Sequence, residues 1–493
     1  MKPSRSLARK MGLLTLTATG ICSMLGASVY LVPFMIHRSV PGIGPYVLPA
    51  FAFAAVPALL AAFSYAILGS AMPRAGGSYI YASRGLHPYL GFVASFSQWF
   101  GLSIVIGVIA YVTVPFVRDV TINLGWTKAS EILETGWVRV SLALLLIWTF
   151  VGINLRGTRS YQRALIPMMF IMFALGTIVI VAGFYFDATD FQSALQDSGE
   201  LFKPATTKSE FSWQIFLSAA ALLFSSFIGF DSIAQAGGEA KNPRKLLPRA
   251  ILLAIVVVGC FYFLFTAAVY HTVPWNYVAE KAMAQDITAP GLLSYVLPTG
   301  LGVLILTGAA IALINDLPAM LLSVSRLMFA WAKDGIFPKQ IARIHPTRQT
   351  PTVALILAGA MASIGALGSH FAGDFFLGID IMVTSMMVNF LLMCVTLIRF
   401  PERNQTLYQD ISVCKGRGTQ LIIGWLGIFF LVLFLIVHTY KDLTADVAAW
   451  YFHSTWIWLI VIAFGSFIYF IQWKDLNRKG IDTKLRFGKL PED

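Results

Sequence analysis

Apolar runs long enough to cross a bilayer recur from one end of this 493-residue chain to the other, separated by short polar gaps. A membrane-spanning helix needs about 20 mostly apolar residues, and its backbone groups must form their hydrogen bonds inside the span. The runs therefore predict an all-α integral membrane protein with twelve transmembrane helices. Numbered in chain order, spans 1 to 12 are predicted at residues 11–37, 45–72, 89–117, 137–154, 163–186, 213–238, 247–271, 299–331, 352–372, 376–400, 419–440 and 449–473.

The basic residues test this count, because lysine and arginine accumulate in the cytoplasmic loops of membrane proteins. With the N-terminus placed in the cytoplasm, 28 of the 36 lysines and arginines fall in cytoplasmic segments or at the inner end of a span. One missed or spurious span would destroy this alternation. We therefore expect a multi-pass protein of the plasma or bacterial inner membrane with both termini in the cytoplasm.

The composition excludes several other classes of protein. Hydrophobic residues make up 57% of the chain and charged residues 12%, whereas a soluble domain has about a quarter of its residues charged. The net charge of +12 follows the loops, so we expect no nucleic-acid partner. The four cysteines lack ligand spacing, and we expect no disulfide, metal or cofactor. The chain has no phosphate-binding motif of an ATP-driven pump and no recurring catalytic constellation, so an enzyme is not expected.

Two spans contain small-residue clusters that can interrupt a helix. Unwound helices near the bilayer midplane expose backbone donors and acceptors to a bound solute. Small residues also let helices pack closely. If the spans form a five-plus-five repeat, however, the two clusters begin its equivalent halves, and this favours a binding site. Spans 1 and 8 are also long enough to predict tilt or a break. The clusters are Gly20 to Tyr30, followed by Pro33, and Phe224 to Asp231, followed by Gly237-Gly238.

Four sequence segments resemble motifs of the amino acid–polyamine–organocation superfamily of permeases. They occur in the order of that superfamily between residues 20 and 351, which makes the combination specific. The segments are Gly26-Ala27-Ser28-Val29-Tyr30; Pro73-Arg-Ala-Gly-Gly-Ser-Tyr79-Ile-Tyr81; Gly229-Phe230-Asp231 with Glu239-Ala-Lys-Asn242-Pro243 and Leu247-Pro248-Arg249; and Ser325-Arg326-Leu327 with Lys333-Asp334-Gly335 to Pro338 and Thr350-Pro351.

This resemblance implies a LeuT-like inverted repeat in one membrane domain, with discontinuous helices at spans 1 and 6. The first repeat would cover residues 11–186, the second residues 213–400, and two accessory helices residues 419–473. Family members bind the carboxylate of an amino acid at the span 1 break and its ammonium at the span 6 break. The candidate binding residues are Ser23, Gly26, Ala27, Ser28, Leu102, Ile106, Ser225, Ser226, Phe227, Gly229, Phe230, Asp316 and Met320.

The chain departs from the family pattern at several of these positions. Ser28 stands where the family commonly has glycine. Its side chain either narrows the approach of a substrate to the backbone N–H groups or donates a hydrogen bond to the substrate. Ser225 stands where some exchangers carry a gating tryptophan, so either the pocket is roomier here or Phe227 or Phe230 acts as the gate. Leu102 and Ile106 offer apolar surface only. A guanidinium would find no partner on span 3.

Three acids lie within predicted spans, where an unpaired carboxylate is costly and often functional. Asp231 matches the family's acid after the span 6 break, and either takes part in coupling or caps the backbone. Asp316 lies four residues before Met320 on one face of span 8, and either contacts a substrate ammonium or proton or bonds Asn315 or another helix. Asp380 lies near the outer part of span 10. It is either a functional residue or an acid that is hydrated in an outer vestibule.

Coupling to a proton is favoured over coupling to sodium. The lysine that replaces sodium in some proton-coupled members corresponds to Met172 here, so that mechanism does not carry over. A sodium site would need Ser323 and Ser325 on span 8, but serines on membrane helices often bond their own carbonyls.

The leading hypothesis is a secondary active transporter of amino acids that works by alternating access, as a proton-coupled symporter or an exchanger. An amine or polyamine transporter of the same fold is the alternative, supported by the altered span 1 triplet and the extra acids. A nutrient sensor or channel that keeps the fold is a third hypothesis. The oligomeric state stays open.

Overall fold

The computed structural model describes residues 6–199, 210–372, 375–447 and 449–491, with backbone alone at residues 27, 28, 299, 372, 375 and 376. Its α-helices are α1 (Leu13–Met24), α2 (Ala27–Tyr30), α3 (Val32–Ser39), α4 (Val47–Ala71), α5 (Gly77–Gly85), α6 (Pro88–Asn123), α7 (Thr127–Glu134), α8 (Gly136–Leu155), α9 (Thr158–Tyr185), α10 (Ala188–Asp197), α11 (Trp213–Leu223), α12 (Ser232–Gln235), α13 (Pro243–Thr272), α14 (Trp275–Ala284), α15 (Ala289–Leu293), α16 (Thr299–Asp334), α17 (Thr352–Ala372), α18 (Phe375–Arg403), α19 (Gln405–Tyr408), α20 (Arg417–Thr444), α21 (Ser454–Arg478) and α22 (Thr483–Gly488).

Eleven helical segments of this described part are long and apolar enough to cross a membrane. They correspond to predicted spans 2 to 12, and α1 to α3 correspond to span 1, so the all-α membrane fold is confirmed. The ends differ by a few residues. Span 3, for example, was predicted to end at residue 117, but α6 continues to Asn123, because a helix can outlast the apolar stretch that hydropathy detects.

Both predicted breaks are present. Span 1 is divided where α1 ends at Met24 and α3 begins near Pro33. Span 6 is divided between α11 and α12, where a 3-10 helix at Phe224–Phe227 precedes Gly229. Gly229 has φ +137°, a backbone conformation that L side chains rarely adopt, and it lies between the 3-10 helix and α12. Span 8, by contrast, forms the single continuous helix α16.

The two longest helices form the centre of the bundle. α6 packs against α16, α17 and α18, and α16 also packs against α9 and α1. The outer helices α8, α9, α20 and α21 expose large apolar side chains such as Leu145, Val181 and Phe467. This distribution is expected for helices that face lipid, where exposed apolar surface carries no hydrophobic cost.

One end of the bundle holds the first and the last residues that the structure describes, and we call it the terminal side. Met11 pairs with Ala240 through a short backbone bridge, and Leu7 and Pro491 line one small cavity there. The C-terminal segment is anchored by side chains of the helices: Arg84 donates to the Lys489 carbonyl (3.3 Å), and Arg74 donates to the Pro491 carbonyl (3.1 Å). The other end of the bundle is called the opposite side.

Candidate functional site

A small cavity of about 30 Å³ lies between the two broken spans. Its wall combines residues of spans 1, 3, 6, 8 and 10. Most of the lining is aliphatic. The lining residues are Ser23, Met24, Val32, Val105, Val108, Ile109, Ser225, Ile228, Asp316, Met320, Ile379 and Met382.

Two polar atoms of this cavity wall lack a hydrogen-bond partner among the described residues. They are Oδ1 of Asp316 and Oγ of Ser225, and both residues are buried. Ser23 differs, because its hydroxyl bonds the Ser232 hydroxyl at 2.9 Å. The neighbouring Asn315 is not the hydrogen-bond partner of Asp316, because its side-chain amide donates to the Cys22 sulfur at 2.9 Å. A buried carboxylate without a partner is costly, so the site is suited to a cationic group or a proton.

The Asp316 carboxylate lies directly against the span 1 break. A β-carbon built at Gly26 would lie 1.5 Å from Asp316 Oδ2, a distance that no side chain tolerates. Just before this point, Tyr262 donates its hydroxyl hydrogen to the Met24 carbonyl (2.5 Å) at the end of α1. The absence of a side chain at Gly26 is therefore what lets an acid of α16 approach the backbone of span 1.

Asp231 belongs to a separate polar network on the terminal side of the break. Its Oδ1 accepts a hydrogen bond from the Gly229 backbone N–H (3.2 Å), and its Oδ2 accepts one from the Gln98 side chain. Gln98 Oε1 in turn accepts from Ser78 and, at 3.0 Å, from Gln235. Asp231 thus caps the broken span and joins it to α6, and it does not line the cavity.

Four other predicted binding residues do not line the central cavity. Leu102 and Ile106 are fully buried on α6, but neither belongs to the lining of the described cavity. Phe227 lines a groove on the outside of the bundle together with Cys260, and Phe230 stacks on Phe390 with ring centroids 4.9 Å apart.

The remaining predicted residues at the two breaks are Ser226, Ala27 and Ser28. Ser226 is buried, and its hydroxyl has no partner among the described residues. Ala27 and Ser28 are described by their backbone alone, in α2, so the predicted side-chain contacts of these two residues lie outside the described part.

The remaining coupling candidates differ in their surroundings. Ser325 donates to the Leu322 carbonyl of its own helix (2.8 Å), whereas the buried Ser323 hydroxyl has no partner among the described residues. Asp380 is half-buried on α18, two residues before Met382 of the cavity wall.

Sequence reasoning missed most of the apolar wall. Val105, Val108 and Ile109 of α6 line the cavity, whereas the predicted residues of that helix were Leu102 and Ile106. Successive residues of a helix differ by about 100° in direction, so the lining face is rotated by about one residue from the predicted face. All five residues are aliphatic, and nothing in their types distinguishes the two faces.

The two sides of the bundle differ in how they are packed. On the terminal side, Arg326 forms an ion pair with Glu239 and Arg84 forms one with Asp334 at 2.5 Å, and all four side chains are buried. Thr158 also donates to Glu239 (3.2 Å). The opposite side instead has a wide cavity of about 330 Å³, which we call the vestibule. This conformation is closed on the terminal side.

Comparison with known proteins identifies the family. The sequence profile of the family described as "Amino acid permease" matches residues 11–472. The chain belongs to the amino acid permease family. This confirms the resemblance to the amino acid–polyamine–organocation superfamily, and the matched region includes both broken spans, Asp316, spans 1 to 11 and most of span 12.

Members of this family with curated names are similar to the chain over most of its length. Cationic amino acid transporter 4 of Mus musculus is 28% identical over 73% of this chain and 55% of its own length. A branched-chain amino acid permease of Bacillus subtilis is 25% identical over 74% of the chain and 75% of its own length. A low-affinity putrescine importer of Escherichia coli is 24% identical over 69% of each chain. The chain thus spans about half the length of the mouse relative, and all three relatives are transporters and not enzymes.

Proposed function

We propose that the protein is a secondary active transporter that carries an amino acid across the membrane by alternating access, driven by or exchanged against a second solute. The observation that carries this proposal is the pair of unpartnered buried oxygens, Asp316 Oδ1 and Ser225 Oγ, in a cavity between two broken spans. An ammonium group can donate to a carboxylate oxygen and to a hydroxyl oxygen alike. The relatives named for amino acids and putrescine support the same class of cargo.

The cavity wall suggests which amino acids fit. Around the two oxygens it is built mainly of valine, isoleucine and methionine. Such a wall suits an aliphatic side chain and offers no second acid for a distal cationic group. A volume of about 30 Å³ holds one or two waters, so the helices must separate before an amino acid enters. That requirement agrees with alternating access.

An amine without a carboxylate is the second candidate, and one observation favours it. The Asp316 carboxylate lies against Gly26, at the break where family members bind the carboxylate of the amino acid. A substrate carboxylate there would be repelled by an ionised Asp316. An amino acid therefore requires Asp316 to be protonated or to pair with the ammonium, whereas an amine does not.

The same arrangement supports proton coupling. Asp316 has no ion pair within the described residues, so protonation removes an uncompensated buried charge. If the proton must be present for a substrate carboxylate to approach Gly26, proton and amino acid enter together. Support for sodium is weaker, because Ser325 bonds its own helix. We assign the coupling role to Asp316 and a capping role to Asp231.

We also propose the topology predicted from the basic residues, with both termini in the cytoplasm. The terminal side would then be the cytoplasmic side and the vestibule would face outward. The inverted repeats are proposed at residues 11–186 and 213–400, each beginning with its broken span, followed by accessory helices at 419–473.

The test is a transport screen on purified full-length protein in liposomes. Labelled neutral and cationic amino acids, putrescine and spermidine are offered with and without imposed proton or sodium gradients. We expect a neutral aliphatic amino acid to accumulate when the proton gradient is directed inward. Accumulation of putrescine alone would support the amine candidate, and a lack of uptake or exchange under every gradient would contradict the transporter proposal.

A further inference from the structure

The vestibule is lined by charged residues that the proposed function does not use. Its wall includes three arginines, Arg38, Arg118 and Arg139, and two aspartates, Asp119 and Asp286. The volume of about 330 Å³ is roughly ten times that of the central cavity. A space of this size holds an amino acid.

Two of the three arginines are neutralised by acids of the protein. Arg38 pairs with Asp286 at 2.6 Å and donates to the Ala282 carbonyl. Arg118 pairs with Asp119 at 2.7 Å and lies 3.6 Å from Glu134. The acids of the vestibule wall are therefore both engaged by these two side chains.

Arg139 remains without an acidic partner in the part of the chain that the structure describes. Its Nε donates to the Tyr111 carbonyl (3.2 Å), and its guanidinium lies over the Tyr111 ring, 3.9 Å from the centroid. The ring is itself held by a hydrogen bond between the Tyr111 hydroxyl and His370 Nδ1 (3.1 Å). These contacts orient the guanidinium and leave its two terminal nitrogens available for bonding.

Those nitrogens are suited to a carboxylate. The planar fork of arginine binds two carboxylate oxygens in parallel, and an aromatic face beneath it lowers the entropy lost on binding. The half-buried position of Arg139 weakens the competition from water. Asp286 acts on Arg139 only from beyond ion-pair distance, while it pairs directly with Arg38. The guanidinium can therefore bind an anion from solution.

The vestibule and the central cavity lie in sequence along the same helices. Leu31 lines the vestibule and its neighbour Val32 lines the central cavity. On α6, Val112 lines the vestibule and Val108, one turn away, lines the central cavity. One turn is about 5.4 Å, so a thin apolar layer separates the two spaces.

We infer that Arg139, stacked on Tyr111, forms a vestibular docking site for the carboxylate of an amino acid before it enters the central cavity. This inference rests on the proposed function for its physiological ligand. The chemistry recognised is a carboxylate, and the competing source of negative charge is a small inorganic anion such as chloride. Docking through the carboxylate leaves the ammonium free to meet Asp316 in the next step.

Chemical footprinting tests the site without requiring transport. Purified full-length protein is treated with phenylglyoxal, which modifies arginine, and the modification rates of Arg139 and Arg118 are measured by peptide mass spectrometry. L-leucine should slow modification of Arg139 with rising concentration. Isoamylamine, which keeps the aliphatic body but lacks the carboxylate, should not. Arg118 is the internal control, because it already has two acidic partners.

Transport kinetics provide the second arm. Arg139→Gln should raise the KM for an amino acid offered from the vestibule side about tenfold, the loss expected for one charged hydrogen-bonded contact. Its kcat, and its uptake from the terminal side, should stay near wild type. Arg118→Gln is the matched control and should change the KM less than about twofold.

Several results would overturn the inference. They are equal Arg139 modification with and without L-leucine, equal protection by sodium chloride and L-leucine, or an unchanged KM in Arg139→Gln. If Arg139→Gln does not fold, footprinting of the wild-type protein still tests whether a carboxylate binds at Arg139. Protection by L-leucine in a protein that transports nothing would keep the docking site and contradict the proposed function, so the two failures are distinguishable.

Discussion

Asp316 of α16 lies against Gly26 of span 1 so closely that a single added methyl group would be 1.5 Å from its Oδ2 atom. The two residues are 290 positions apart in the chain. The contact brings a buried acid to the break in span 1, and any larger residue at Gly26 would force the Asp316 side chain to shift. It also places one side chain against both the cavity and the broken span.

Gly26→Ala should therefore abolish uptake and lower stability by about 1–3 kcal/mol, the cost of overpacking a filled interior. Uptake into liposomes and the thermal unfolding midpoint measure the two effects. Gly152→Ala is the matched control, because a β-carbon at Gly152 of α8 meets nothing within 4 Å. Wild-type uptake in Gly26→Ala would show that the break does not need this contact.

Asp316→Asn should abolish accumulation or remove its dependence on pH. Asparagine keeps the size of the side chain but can neither carry the negative charge nor release a proton. Uptake of the best substrate from the screen is measured across pH 5 to 8, with Asp410→Asn as the control, since Asp410 is an exposed partner of Arg244. Normal kinetics at every pH would reduce Asp316 to a structural residue.

Gln98→Leu should destabilise the protein by about 1–3 kcal/mol, because Asp231 and Gln235 lose a buried hydrogen-bond partner. The thermal unfolding midpoint measures the effect, and Gln196→Leu, on an exposed position of α10, is the control. An unchanged midpoint would mean that this network contributes little to the break in span 6.

Asp231→Asn should lower stability but leave the pH dependence of uptake with its wild-type shape. The reason is that both oxygens of Asp231 are bonded within the protein and neither faces the cavity. Loss of the pH dependence in this variant, with Asp316→Asn unaffected, would move the coupling role from Asp316 to Asp231.

Arg326→Gln should lower stability by about 3–5 kcal/mol, because it leaves Glu239 as a buried charge without its partner. Arg244→Gln removes an exposed ion pair and should cost less than about 1 kcal/mol. Thermal unfolding of the two variants gives the comparison directly. Similar midpoints would show that the terminal side is not held closed by the Arg326–Glu239 pair.

Much of the fold follows from local properties of the sequence. The spans depend on apolar content over about 20 residues, a quantity that needs no knowledge of neighbours. The breaks depend on residues that disfavour regular helix, as Gly229 does with its φ of +137° and as Pro33 does by lacking a backbone N–H. Asp316 stands out because acids inside apolar runs are costly, and its spacing from Met320 predicts one face of α16, where both residues line the cavity.

The site itself depends on how the helices are rotated and packed. Leu102 and Ile106 are as apolar as Val105 and Ile109, so composition cannot tell which pair faces the cavity. The same holds for the contact of Asp316 with Gly26 and the pairing of Arg326 with Glu239, which join distant parts of the chain. By itself the sequence determined that the chain spans the membrane, how often it does so and where two spans break, because these are short-range consequences of hydropathy and backbone chemistry. Only the tertiary structure decided which buried groups meet, because helix packing brings together residues that no sequence spacing relates.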